Sequence, residues 1–315
     1  MPFATVSQNR GTPVNINYEI HGTGEEKILF IMGFLTTLDG WKLQTEYLNK
    51  NHSSKYTFCV FDNRGIGQSD SPSFNYTSSD MATDAKELID HLKWDKVHLV
   101  GVSMGGMIAL EFASLFPQRL QSLSLCVTHA GGFGRVTPLY GMAKMLRSFA
   151  LTDHPTRGRY IMPILYSEEY LEKTTLDGTN KNIEFLVNDY VEKVGKSKVP
   201  TLAAVVGHIR TVYTHHLTDR RLAAIKASGF PILIMCGDID YMVRTSNSFL
   251  LRDHLAPAEF LQFKSGHCIN VEYEIEFNEA LVRNFNRGSG SSSDSSDSSS
   301  GLSNDQISPD TTTKQ

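Results

Sequence analysis

Gly101-Val102-Ser103-Met104-Gly105 is the stretch of this chain best suited to chemistry. Alone it is a weak signal, since a Gly-x-Ser-x-Gly arises by chance in roughly one chain in ten of this length. Its surroundings are more specific. The apolar run Val97-His98-Leu99-Val100 leads into it, and an amphipathic stretch beginning with Gly105 and Gly106 leaves it. Strand, sharp turn and helix in that order lift a serine hydroxyl above a sheet. Glycines in the turn remove Cβ atoms that would collide with neighbouring strand and helix. The Met104 amide then sits at a helix N-terminus, where N–H groups face developing negative charge. Serine is a weak nucleophile until a base takes its proton, so such a site also needs a base and a group to orient it.

The elements that must hold this turn are legible as alternating patterns. Short apolar runs at 27–32, 56–61, 96–101, 122–127, 231–236 and 259–263 read as strands. Several are apolar on both faces, as parallel strands covered by helices on both sides require. Met81, Ala82, Ala85, Leu88, Ile89 and Leu92 draw one helical stripe, with Ser79 or Asp80 available as its cap. A helix from Gly105 stops at Pro117, and Phe277, Ala280, Leu281 and Phe285 mark a last one. Residues 4–19 read as an antiparallel edge hairpin. The expected class is α/β: a mostly parallel open sheet of about eight strands, helices on both faces and a helical insertion. The core spans 1–130 and 229–287. Residues 131–228 show no strand pattern and read as a helical cap over the sheet's carboxyl edge, where ligands of such sheets bind. Residues 288–315 are Gly-, Ser- and Asp-rich and predict a disordered tail, with Ser291 and Ser308 as candidate phosphorylation sites against an inert solvated tail.

In this setting the chain resembles an α/β-hydrolase of the small, soluble, cap-bearing branch that includes carboxylesterases, carbon–carbon bond hydrolases and cofactor-free haloperoxidases. The likeness runs from about Gly24 to Asn286. Phe61-Asp62-Asn63-Arg64-Gly65-Ile66-Gly67-Gln68-Ser69 is similar to the family's DxRGxGxS stretch, a structural turn without a catalytic role. The family order of nucleophile, acid and histidine implies that Ser103 is the nucleophile. Ser265-Gly266-His267, followed by Glu272, resembles the GHxxxxE pattern and implies His267 as general base and acid. Cys236-Gly237-Asp238-Ile239-Asp240 offers two orienting acids. The GxxDxxV pattern aligns Asp240 with the acid and Val243 with the valine, while Asp238 competes with a turn-capping role as its other reading. Thr128-His129, where some members carry the acid, has no carboxylate. The backbone N–H groups of Phe34 and Met104 are the implied oxyanion hole. Met32 stands where the family commonly has histidine in the loop Ile31-Met32-Gly33-Phe34-Leu35. Trp41 reads as core. Epoxide hydrolases and haloalkane dehalogenases of this fold carry aspartate at the elbow, so Ser103 argues against both.

Composition sets the outer limits. The chain has 315 residues and a net charge of -4, which excludes a generally basic nucleic-acid coat. No apolar run approaches the length of a membrane span, and no secretory h-region follows Met1. Cys59, Cys126, Cys236 and Cys268 are widely spaced without a CxxC pair and read as reduced thiols, giving a cytoplasmic expectation. Without a leader, the sequons at Asn51 and Asn75 read as chance matches. The expected mechanism requires neither metal nor organic cofactor, and His215-His216 are adjacent rather than spaced for a shared metal. Met142, Met145, Phe149, Tyr160, Met162, Tyr166 and Phe185 predict an apolar acyl pocket within a cap whose own core takes most of them. The reading is therefore a serine hydrolase for a small to medium hydrophobic ester. A hydrolase-fold ligand receptor with incidental turnover, or a carbon–carbon bond hydrolase, are the alternatives.

Overall fold

A computed structural model of the chain describes residues 2–132, 138–196 and 198–290, apart from the side chains of Leu139 and Met142. Among these residues the strands are β1 (Phe3–Val6), β2 (Val14–Gly22), β3 (Glu26–Ile31), β4 (Tyr56–Phe61), β5 (Val97–Val102), β6 (Leu120–Cys126), β7 (Ile232–Gly237) and β8 (Glu259–Phe263). They form one eight-stranded sheet in the order β1-β2-β4-β3-β5-β6-β7-β8. β1 and β2 make an antiparallel edge hairpin, and β2 runs antiparallel to β4. All other neighbours are parallel.

Alternation along the strands gives the sheet two apolar faces. Leu29 and Ile31 of β3 join one buried cluster, while Ile28 and Phe30 join another. The first face is covered by α2 (Ser78–His91), α3 (Met104–Leu115), α9 (Asp219–Ala227) and α10 (Thr245–Leu255), which contribute Leu88, Ile108, Ile225 and Leu251. The second is covered by α1 (Lys42–His52), the short α11 (Ile269–Glu272) and α12 (Glu274–Gly288), which contribute Leu48, Ile269, Phe277, Leu281 and Phe285. Each such side chain stabilises the fold by about 1.5–3 kcal/mol when fully buried. Trp41 is fully buried in the second cluster, with its ring centroid 4.9 Å from that of Phe30. Cys59, Cys126 and Cys236 lie buried in β4, β6 and β7, and all four cysteines are free thiols.

Two local expectations need correction. Helix α2 is capped by Thr77 rather than by Ser79 or Asp80, because the helix starts at Ser78. Thr77 Oγ1 accepts the Asp80 N–H at 3.3 Å, and the Asp80 carboxylate accepts the Thr77 N–H at 2.8 Å, so Asp80 completes a reciprocal capping box. The other concerns the chain end. Gly288 closes α12 where a Cβ would crowd the Gln121 carbonyl, and the Ser289 hydroxyl donates to Glu26 at 2.6 Å. Residues 288–290 are thus held against the sheet. The disordered-tail and phosphorylation expectations for 291–315 fall outside the described residues.

Between β6 and β7 run α4 (Leu139–Ser148), α5 (His154–Leu165), α6 (Glu168–Glu172), α7 (Asn182–Lys196), α8 (Leu202–Thr214) and then α9. Ile161, Met162, Ile164, Leu171, Leu186 and Val187 form a third, separate apolar cluster there. Entry and exit of this excursion are clasped together. The Leu217 N–H donates to the Ala130 carbonyl at 2.8 Å, and Gly131 bridges His216. Among the described residues no helix is long and apolar enough to cross a membrane.

Candidate active site

Ser103 joins β5 to α3 with φ 56° and ψ −121°, a backbone region that L residues rarely occupy and that costs about 1–3 kcal/mol. The surroundings over-determine it. The Ser103 N–H donates to the Cys126 carbonyl at 2.9 Å, and the Ser103 carbonyl accepts from Thr128 Oγ1 at 2.8 Å. A Cβ on Gly105 would overlap the Ile31 carbonyl, and one on Gly106 would strike the Thr128 side chain. Those two glycines let α3 lie close to β3 and to the end of β6, which is the local reason for the glycine pattern. The turn leaves Ser103 half-buried at the carboxyl edge of the sheet.

Asp240 and His267 follow β7 and β8 at that same edge. Asp240 Oδ2 is 2.7 Å from His267 Nδ1, with the carboxylate 2% and the imidazole 12% exposed. Its other oxygen accepts the N–H groups of Met242 and Val243 at 2.7 and 2.8 Å. A carboxylate held this way by its own loop accepts the Nδ1 proton and leaves Nε2 as the imidazole's acceptor. Asp238 is exposed. The histidine loop is also fastened. Glu272 accepts the N–H groups of Gly266 and Ser167 at 2.9 Å each, and the Ser167 hydroxyl at 2.5 Å. Burial raises the Glu272 pKa above its ordinary value, against the pull of those bonds. Ser103 Oγ and His267 Nε2 share no hydrogen bond here; such bonds are often long before substrate binds and tighten on engagement.

Gly33 sits against Ser103, with a Cβ at Gly33 falling 3.1 Å from Ser103 Cβ. The adjoining N–H of Phe34 and the N–H of Met104 donate to no described residue. Met32, where the family commonly has histidine, sends its side chain into the cluster around Trp41 and against Gly40. Other groups hold the loop instead. Asn63 Nδ2 donates to the Met32 carbonyl at 2.9 Å, and the Leu35 N–H donates to His208 Nδ1 at 3.2 Å. Asp62 accepts the Leu38 and Gln68 N–H groups, each at 2.9 Å, so the DxRGxGxS stretch braces the loop from beneath.

Ser103 and Phe34 open onto a cavity of about 200 Å³. Its described walls are Met107 from α3, Met145, Leu146 and Phe149 from α4 and its end, Ile209, Val212 and Tyr213 from α8, and Met242 and Val243 beside Asp240. Apart from the Ser103 and Tyr213 hydroxyls these side chains are apolar.

A sequence model described as the alpha/beta hydrolase fold matches residues 27–273. The chain belongs to the alpha/beta hydrolase family. Its relatives within that family are hydrolases. It is 27% identical over 286 residues to a 2-hydroxy-6-oxononadienedioate/2-hydroxy-6-oxononatrienedioate hydrolase of Paraburkholderia phymatum, covering 86% of this chain and 91% of that one. It is 25% identical to 3-oxoadipate enol-lactonase 2 of Acinetobacter baylyi, covering 87% and 95%. Among solved structures, a thermophilic esterase from Thermogutta terrifontis superposes with a TM-score of 0.70 at 21% identity, over 91% of this chain and 99% of that one.

As in other open α/β sheets, the candidate groups of this alpha/beta hydrolase converge at the strands' carboxyl ends. The structure joins Asp240 to His267, and Ser103 to the Phe34 loop, from segments far apart in sequence. The expected pocket aromatics and methionines divide. Met145 and Phe149 line the cavity, whereas Tyr160, Met162 and Tyr166 pack in the third cluster and Phe185 is 58% exposed. Met142 lies outside the described side chains. Sequence reading missed His208 and the cavity walls on α8. The available signal was that Ile209, Val212 and Tyr213 follow His208 at helical spacing.

Proposed function

We propose that this alpha/beta hydrolase is a serine hydrolase that cleaves a carboxylic ester of a small to medium hydrophobic substrate through an acyl-enzyme. The carrying observation is the strained Ser103 turn opening on an apolar cavity, with the Asp240–His267 pair at the same sheet edge. His267 Nε2 takes the Ser103 proton as Oγ attacks the acyl carbonyl, while Asp240 fixes the Nδ1–H tautomer and stabilises the imidazolium. The Phe34 and Met104 amides receive the oxyanion of the tetrahedral intermediate, each contributing on the order of 3 kcal/mol. His267 then returns its proton to the departing alkoxide. Water, deprotonated by His267, attacks the acyl-enzyme, and collapse releases the acid and restores Ser103. No step calls on a metal or organic cofactor.

Helices α4–α8 act in this reading as a cap, since α4 and α8 supply much of the cavity wall while Ser103 and Met107 supply its floor; α9, inside the 131–228 span expected to be cap, packs on the sheet instead. The four unpaired thiols support a reducing, cytoplasmic setting. Carbon–carbon bond hydrolysis is the second reading, favoured by the dienedioate hydrolases among the relatives. The ester reading is preferred because the described cavity walls offer no cation for a second carboxylate. A fluorophosphonate probe and a p-nitrophenyl ester panel of graded acyl length test it. Wild-type protein becomes labelled and turns over, and Ser103→Ala abolishes both. An unlabelled wild type points instead to a ligand receptor, and equal labelling of Ser103→Ala removes Ser103 from the chemistry.

A further inference from the structure

We propose that His208, delivered from α8, positions the Phe34 amide of the candidate oxyanion hole. This inference rests on the hydrolytic reading above. Leu35, the residue after Phe34, sits at φ 51°, a left-handed conformation that a leucine adopts only when held. The holder is the His208 ring. Its Nδ1 accepts the Leu35 N–H at 3.2 Å, so that nitrogen carries no proton, and Nε2–H donates to the Arg64 carbonyl at 2.9 Å. The imidazole thereby links the oxyanion loop to the turn after β4.

A second contact reaches Phe34 itself. The rings of Phe34 and His208 meet edge to face at 5.9 Å, and Tyr76 flanks the imidazole at 6.3 Å. His208 therefore grips the donor residue by its side chain and by the amide that follows it. It also occupies the Leu35 N–H, leaving the Phe34 N–H as the uncommitted donor beside it. Close approach of α8 makes this possible. Gly207 lies where any Cβ would overlap Tyr76, and Gly65 packs against Ala204. The side chain is fully buried, and desolvation pushes its pKa down from the usual 6.5 to about 4. The neutral ring and its Nδ1 lone pair thus persist at neutral pH.

His208 takes this role as a positioning residue, from outside the sheet, in a loop that lacks the family's usual histidine at position 32. His208→Phe fills the site without either hydrogen bond. His208→Gln can restore both, with its amide oxygen accepting from Leu35 and its NH₂ donating to Arg64. In the full chain, His208→Phe is expected to lower kcat on a p-nitrophenyl ester by about 10- to 100-fold with KM within about threefold, as loss of aim at one oxyanion donor implies. Affinity for a trifluoromethyl ketone, which mimics the tetrahedral adduct, falls in parallel with kcat. His208→Gln recovers most of both. Hydrogen exchange of the Leu35 amide speeds in the Phe variant and stays slow in the Gln variant. A folded His208→Phe protein with unchanged kcat, or unchanged Leu35 exchange, overturns the proposal, as does a Gln variant as impaired as Phe. Failure of the underlying reading looks different: the wild type itself is then neither labelled nor active, and the positioning role falls with it.

Discussion

Two aspartates two residues apart follow β7, and their surroundings assign them different work. Asp240 is held on three sides as an acceptor, by His267 and by two amides of its own loop. Asp238 points into solvent, and its backbone N–H donates to the Phe263 carbonyl at 3.0 Å. An Asn at 240 keeps the shape but can present an NH₂ to Nδ1, which favours the tautomer with no lone pair at Nε2. Asp240→Asn is therefore expected to lower kcat by about 10³- to 10⁴-fold with little change in KM, while Asp238→Asn stays close to wild type in the same assay. Ser103, Asp240 and His267 could be picked out of the sequence as candidates because each sits in a short local pattern of turn and strand. His208 was not, because its meaning lies in a bond to Leu35, 173 residues away. Met32 raised the question of what holds the loop, and the answer required tertiary structure.

Elements carry the next level of specification. The start of α3 packs so close to β3 that a Cβ added at Gly105 would fall 2.1 Å from the Ile31 carbonyl oxygen. Gly105→Ala drives a methyl into the Ile31 carbonyl and is expected to cost about 3 kcal/mol of stability, together with activity. Gly195, on α7, is the contrasting case, with nothing within 4 Å of an added Cβ. Gly195→Ala should raise stability by about 0.5 kcal/mol through helix propensity and reduced unfolded-state freedom. Urea midpoints at constant m-value measure both. The strands of the sheet were legible because burial on both faces writes continuous apolar runs, and β4 and β8 match their sequence runs residue for residue. In the excursion between β6 and β7 only α4, α6 and α7 could be read as patterns. α5 carries Pro163 inside it, and α8 is apolar around much of its surface, which blurs the stripe that Ile209, Val212 and Tyr213 draw.

At the scale of the whole molecule, stability and the candidate site share buried neutral histidines. His208 and His215 sit in the segment between β6 and β7 and pack against the sheet core; burial pushes their pKa values down from 6.5 to about 4 and about 3. The sign of the linkage follows from which state binds the proton. Above pH 6.5 the ring is neutral in folded and unfolded chains, and it contributes no pH dependence. Between pH 6.5 and about 4 the unfolded chain takes up a proton at His208 that the folded chain refuses, so stability falls as pH falls. Below about 4 the folded ring protonates as well, and the slope from this site ends. Protonation would place an N–H on Nδ1 facing the Leu35 N–H, so acid opposes the contact that holds the candidate oxyanion loop. Each tenfold difference in proton affinity between the two states is worth about 1.4 kcal/mol, so His208 alone accounts for about 2 kcal/mol of the stability lost between pH 7 and pH 4.5. His208→Gln removes the titrating group while keeping a donor and an acceptor in place. Its urea-derived stability should therefore fall by about 2 kcal/mol less than that of wild type over the same interval. Parallel falls in the two proteins would show that His208 takes up its proton as readily in the folded chain as in the unfolded one, and that its neutral, bridging form is not what the fold protects.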